Sequence, residues 1–234
     1  MSTTQKKVIK KVQKEDVLVD ITEVTHNAEH WLEVYRLPLI IGSAALLVFV
    51  ASWFLWKNHV AGEQKKALTA MWHAEQLFER DSFALALNNP GGGFDGFLDI
   101  SKKYGSAPSG NLARCYAAIC YYHLGKFDEA IKYMNDYSPA GSVLGTTKYG
   151  LLGDAYSEKN DFGNALKSYR QAANTGDVDD LKAHYLKLFG MLSEKQNDNA
   201  SALSAYKEIK EKYPQTTEGR DIDKYLARSQ AGKK

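Results

Sequence analysis

Tyr121-Tyr122-His123-Leu124-Gly125-Lys126-Phe127-Asp128-Glu129-Ala130 is the stretch that decides how most of this chain folds. Large apolar side chains close one helical run, Gly125 supplies a turn, and Phe127 with Ala130 three residues on opens a second helix. The same signs return 35 residues later as Leu152-Gly153-Asp154-Ala155-Tyr156, then Asp161-Phe162, then Ala165, Tyr169 and Ala172. They return once more as Phe189-Gly190, Ala202-Leu203, Tyr206, Ile209 and Pro214. A near-fixed period of this length belongs to stacked helix pairs, each of which buries its apolar face only against its neighbours. Gly153, Ala130, Ala165 and Ala202 let two helices approach closely, and Tyr121, Tyr156, Tyr169 and Tyr206 read as core that fills the gaps.

Outward from these units the pattern weakens. Thr216 to Arg228 reads as a polar capping helix, and the final Ala-Gly-Lys-Lys should fray. On the other side, Phe83, Ala86 and Leu87 open the second helix of an earlier, degenerate unit, which Asn88-Asn89-Pro90-Gly91-Gly92-Gly93 breaks before Phe94 to Tyr104 resumes. That glycine run lacks the Gly-Lys-Ser/Thr of a phosphate loop. Still earlier, Ala67, Met71, Ala74 and Phe78 make one apolar helix face, with Lys65, Lys66, Glu75 and Glu79 opposite, and only Gly62 separates this rod from what precedes it.

What precedes it is Leu37 to Trp56, about 20 residues without a charge, enough for a helix to cross a bilayer's hydrocarbon core. Trp31, Tyr35, Trp53 and Trp56 stand where amphipathic rings favour the headgroup level. A cleaved signal peptide would have a shorter apolar run that starts earlier, so the expected element is an uncleaved anchor. Within the preceding 36 residues, Lys6, Lys7, Lys10, Lys11 and Lys14 form a solvated basic arm. Asn27 to Tyr35 then reads as a short helix on the membrane surface, with Pro38 in the first turn of the span. His26-Asn27-Ala28-Glu29-His30 matches a three-residue zinc-peptidase pattern, but a short tail offers neither a third ligand nor a dry cavity, and no metal is expected.

The chain as a whole carries a net charge of +2, and residues 57 to 234 are close to neutral. This excludes the basic stripe of a nucleic-acid binder. No nucleophile-and-base arrangement in motif context, metal set or cofactor loop is present, so neither an enzyme nor a cofactor is expected, and no small-molecule substrate. Cys115 and Cys120 sit five apart on one helix, about 140° around its axis, and are expected to be free thiols.

The repeated residues resemble the tetratricopeptide repeat, with Leu-Gly and Tyr in its first helix, Ala and an aromatic in its second, and Pro at its end. The implied fold is all-α, a single transmembrane helix followed by a tetratricopeptide-repeat α-solenoid. Expected parts are a tail at 1–36, the span at 37–56, a helical linker and degenerate first repeat at 57–110, three repeats at 111–215, and a cap with a frayed end at 216–234. A tail, a span ending in Trp56-Lys57-Asn58-His59 and repeats directly after it are similar to the YfgM-type bacterial inner-membrane proteins. That resemblance implies an ancillary subunit of the SecYEG translocon, partnered with a PpiD-like chaperone, with a cytoplasmic N-terminus and periplasmic repeats. Lys57, Lys65 and Lys66 against Arg36 argue the opposite orientation by local charge, but a long trailing domain translocates largely regardless of charge. A scaffold for another envelope assembly, in cell division or outer-membrane biogenesis, would share this fold.

The resemblance also implies a concave groove lined by first helices. Its usual positions fall on Cys115, Ile119, Tyr122 and His123, on Gly150, Asp154, Ser157 and Glu158, and on Lys187, Met191, Glu194 and Lys195. The Lys and Asn of a carboxylate clamp are replaced by Cys115 and Ile119, so the expected ligand is an apolar helix or extended segment of a partner rather than an acidic tail.

Overall fold

The computed structural model describes residues 3–231, with side chains over residues 34–230. The lysine arm, Trp31 and the His26 to His30 pattern lie outside the described side chains, and residues 232–234 lie outside the described chain. The elements are α1 (Thr3–Phe78), α2 (Phe83–Asn88), α3 (Phe97–Lys103), α4 (Pro108–His123), α5 (Phe127–Asp136), α6 (Ser142–Glu158), α7 (Phe162–Thr175), α8 (Asp179–Lys195), α9 (Asn199–Lys212) and α10 (Thr217–Ala231). No strand occurs among the described residues. Two compact units divide the chain, one ending at His59 and the other beginning at Val60.

In the first unit α1 is one uninterrupted helix that runs from the tail through the apolar stretch. Pro38 sits inside, where it removes one backbone donor, a cost that apolar helices in membranes bear more readily than soluble ones. Every side chain from Val34 to His59 is exposed. A core helix of a soluble protein would be covered. This one is long and apolar enough to cross a membrane and has no protein over it, which makes it a candidate span.

In the second unit the end of α1 is the first helix of a helix pair, and the same turn follows it as follows α4, α6 and α8. Asp81, Gly125, Asn160 and Asn197 all take a left-handed φ, between 57° and 69°. Each donates its N–H to the carbonyl three residues back, and the next residue donates to the one five back, at 2.9 to 3.0 Å. This paired capping satisfies carbonyls that the helix end would otherwise orphan. Three of the four positions hold the Asn or Asp that bears such a φ without glycine.

From these turns the second helices fall into register. Ala86, Ala130, Ala165 and Ala202 are each at most 1 % exposed, and a larger side chain there would drive the paired helices apart. Opposite them, Ala118 shares a core with Met134, whereas Gly153 meets Tyr169 and Gly190 meets Tyr206 so closely that a Cβ would lie 2.5 and 2.4 Å from the rings. The stack runs α3 on α4, α5 on α6, α7 on α8 and α9 on α10.

The degenerate unit is a complete one with an insertion. Phe97, Ile100 and Tyr104 match Tyr206, Ile209 and Tyr213 at an offset of 109 residues, while Asp81, Ala86 and Leu87 match Asn197, Ala202 and Leu203 at 116, so seven extra residues lie between Leu87 and Phe97. They loop out and return to the place they left, since a Cβ on Gly96 would come within 2.5 Å of the Leu87 carbonyl. α2 and α3 are therefore two halves of one repeat helix. The cap is equally regular: Gly110 and Gly219 would place a Cβ 1.7 and 2.1 Å from the carbonyls of Tyr104 and Tyr213, so α10 starts as α4 does and has the register of a first helix.

Candidate functional site

In the arrangement that the tetratricopeptide resemblance implies, the first helices line the inner face, and α4 with α6 and α8 with α10 are in contact. Three expected positions leave that face or are occupied. Cys115 is 4 % exposed and packs with Ala118, Met134, Tyr137 and Leu152, so it is core rather than groove, and burial pushes its thiol up to about 11. Its counterpart Gly150 lies beneath Tyr185, whose hydroxyl would be 2.1 Å from a Cβ. Lys187 donates to Glu218 of α10 at 3.1 Å, and His184 Nδ1 lies 3.3 Å from the same oxygen. These positions face the neighbouring first helix too closely to greet a ligand.

The next row is more open. Ile119 is half-buried against the Cys115 cluster, and Met191 is 40 % exposed. Asp154, between them in register, accepts from the Tyr169 hydroxyl at 2.8 Å. Burial raises the Asp154 pKa, while the Tyr169 bond and the nearby His184 pull it back. The phenol of Tyr169 is driven up in turn, by burial and by that carboxylate. Tyr122 of α4 is half-buried, 5.7 Å from the rings of His123 and Phe127, and its phenol is raised by burial, Asp154 and Glu158. An aromatic of one unit thus faces two carboxylates of the next.

The last rows diverge between units. Ser157 is half-buried beside Tyr169, and Glu158 is exposed. Glu194, the counterpart of Ser157, accepts from Tyr206 at 3.1 Å and from Arg228 Nε at 3.3 Å, and also from Ser229. Burial raises its pKa, but the bonds from Arg228 and Ser229 outweigh this and hold it below the usual carboxylate range. His123 is stacked on Phe83, centroids 4.2 Å apart and 4° from parallel, and the Lys195 ammonium lies 4.9 Å over Phe162. Both brace the turns between helices.

Of the expected set, the structure brings Ile119, Tyr122, Asp154, Ser157 and Glu158 together on α4 and α6, with Met191 on α8. Lys187 and Glu194 are instead held by α10. Tyr185, His184, Glu218 and Arg228 shape the face without having been expected there. The sequence does carry a sign for the role of α10, because Lys212-Tyr213 precedes Gly219 at the spacing by which Lys103-Tyr104 precedes Gly110. Among the described residues no group of three His, Cys, Asp or Glu could hold a metal.

The open patch is apolar and aromatic beside two carboxylates, chemistry suited to a polypeptide segment with apolar anchors and flanking basic groups. No curated protein matches the chain. The tetratricopeptide repeat family model matches residues 113–137, which cover most of α4 and all of α5, and residues 189–216, which run from the end of α8 to the turn before α10. The helix pairs in those residues are repeats of the tetratricopeptide type.

Proposed function

We propose that this chain is a membrane-anchored protein-interaction scaffold whose inner face over α4 and α6 holds a segment of a partner protein. The observation that carries the reading is the contrast along that face: α10 occupies Lys187 and Glu194, while Tyr122, Glu158 and Met191 have no such cover. In the finer form implied by the YfgM-type resemblance, the partner belongs to the SecYEG translocon, with a PpiD-like chaperone beside it, the N-terminus is cytoplasmic and the repeats are periplasmic. The scaffold then assists envelope proteins as they are translocated.

Affinity purification from solubilised membranes, followed by identification of the proteins retained, tests both levels. Translocon subunits support the finer reading, and cell-division or outer-membrane components in their place replace it with another envelope scaffold. Replacing Tyr122 and Met191 by Ala together is expected to weaken capture by about 1–3 kcal/mol while helicity stays at the wild-type level. Unchanged capture by a folded double variant would move the partner off the inner face.

A further inference from the structure

In α4, α8 and α10, three or four positions in matching register meet the second helix of the unit before. In α4 they are Ala113, Tyr116, Ala117 and Cys120, which pack with Phe97 and Ile100. In α8 they are Tyr185, Leu188, Phe189 and Leu192, against Ala165 and Tyr169. In α10 the same face carries Ile222, Tyr225 and Leu226 against Tyr206 and Ile209. The equivalent residues of α1 are Thr69, Trp72, His73 and Gln76, upstream of which α1 simply continues as a single helix.

This face therefore has the register of a stacking surface, and Thr69 and Trp72 on it are exposed. Trp72 is 58 % exposed, and Leu68 one turn earlier is 56 % exposed. The seven-residue insertion reaches only part of it. Phe94 stacks on His73 with centroids 3.4 Å apart, beside a cleft of about 480 Å³ that Lys65, Lys66, Thr69 and Ala70 also line. Lys65 and Lys66 are exposed, and neither joins an ion pair among the described residues.

A second copy has no free surface of the matching kind to offer, because its own second helices are covered by α4, α6, α8 and α10. We propose that this face of α1 docks an amphipathic helix of a partner protein, one that carries the small-and-apolar stripe of a repeat's second helix and acidic residues toward Lys65 and Lys66. The array is then extended by one helix in trans. This surface is separate from the inner face over α4 and α6.

The probe is a dye-labelled synthetic peptide with the sequence of residues 124–138, which places Ala130 and Met134 on one stripe and adds Asp128, Glu129 and Asp136. Fluorescence anisotropy against the full-length protein in detergent micelles should show saturable binding. Leu68→Ala with Trp72→Ala should weaken it by at least about tenfold, and Lys65→Glu with Lys66→Glu should do the same, while Tyr122→Ala with Met191→Ala leaves it unchanged. Leu68 and Trp72 are exposed, so their truncation leaves the core intact; should that variant lose helicity, the charge reversal decides alone. No saturable binding to the wild type, binding that both α1 variants leave unchanged, loss only in the inner-face variant, or self-association that Trp72→Ala abolishes would each overturn the proposal.

Discussion

At the scale of the residue, one contact shows how the array tolerates variation. Gly153 and Gly190 lie against the rings of Tyr169 and Tyr206, while the first regular unit has Ala118 and Met134 at the same places. A tyrosine held by its hydroxyl to Asp154 or Glu194 cannot swing away from an added methyl, whereas unbranched Met can repack. Gly153→Ala is therefore expected to cost about 1–3 kcal/mol in urea unfolding, and Tyr169→Met in the same chain to recover part of it. Additive losses would show that the ring does not set the limit. Asp154 gives a second expectation at this scale. Its folded pKa is raised above the unfolded value, so the stability tied to its protonated form is lost as pH rises through the folded pKa. Asp154→Asn should raise the melting temperature at pH 7, and the gain should shrink toward pH 4; a loss at pH 7 would mean that the Tyr169 bond needs the charge. Cys115 and Cys120, with thiols pushed up to about 11 and about 12 by burial, should resist alkylation at pH 8 in the native protein, and two thiols should react once it is denatured.

At the scale of the element, α10 is held by charge as well as by apolar packing. Glu194 and Glu218 each have a folded pKa below the ordinary 4.5, where burial, which raises it, is outweighed by bonds from Arg228 and Ser229 in one case and from Lys187 in the other. A depressed carboxylate contributes stability that is present above the unfolded pKa and lost as pH falls through the folded one. Protection from amide exchange in residues 217–231, taken relative to the intrinsic rate at each pH, should thus fall below about pH 4.5, ahead of α6 and α7. Glu194→Gln should loosen α10 by about 1–2 kcal/mol at pH 7, and equal protection across pH would show that Ile222 and Leu226 alone secure it. These pairs also mark where the sequence stops being legible. Ala130, Ala165 and Ala202 could be read because a repeat imposes its own register, and so could the turns. Lys187 with Glu218 and Glu194 with Arg228 are 31 and 34 residues apart, and nothing local to either partner announces the other. Cys115 looked available for the same reason. Its burial comes from α5 and α6, which its own helix cannot foretell.

At the scale of the whole molecule, the question is which side of a membrane the repeats occupy. From Leu37 to Trp56 α1 presents an uncharged, mostly apolar surface, and each Leu, Ile, Phe or Val near the centre of such a helix favours insertion by about 0.3–0.6 kcal/mol. Gly42 and Ser43 oppose this only mildly, because the Ser43 hydroxyl donates to the Ile40 carbonyl at 3.0 Å. The protein should therefore stay with membranes through alkaline carbonate extraction, and deletion of residues 37–56 should release it. Orientation is a contest between Lys57, Lys65 and Lys66 on the repeat side and the basic residues before the span. Long trailing segments cross largely regardless of their charge, so, with the YfgM-type resemblance, the repeats are expected outside the cytoplasm, although the local count opposes this and the five lysines between residues 6 and 14 lie beyond the about 20 residues before the span that weigh most. Protease added to spheroplasts should then degrade the segment after His59 and spare a tag on the N-terminus. A protected repeat segment in sealed spheroplasts, digested only after lysis, would mean that the lysines just after the span outrank the arm. Exchanging Lys6, Lys7, Lys10, Lys11 and Lys14 for Gln separates the two determinants, since loss of the expected orientation in that variant alone identifies the arm as its source.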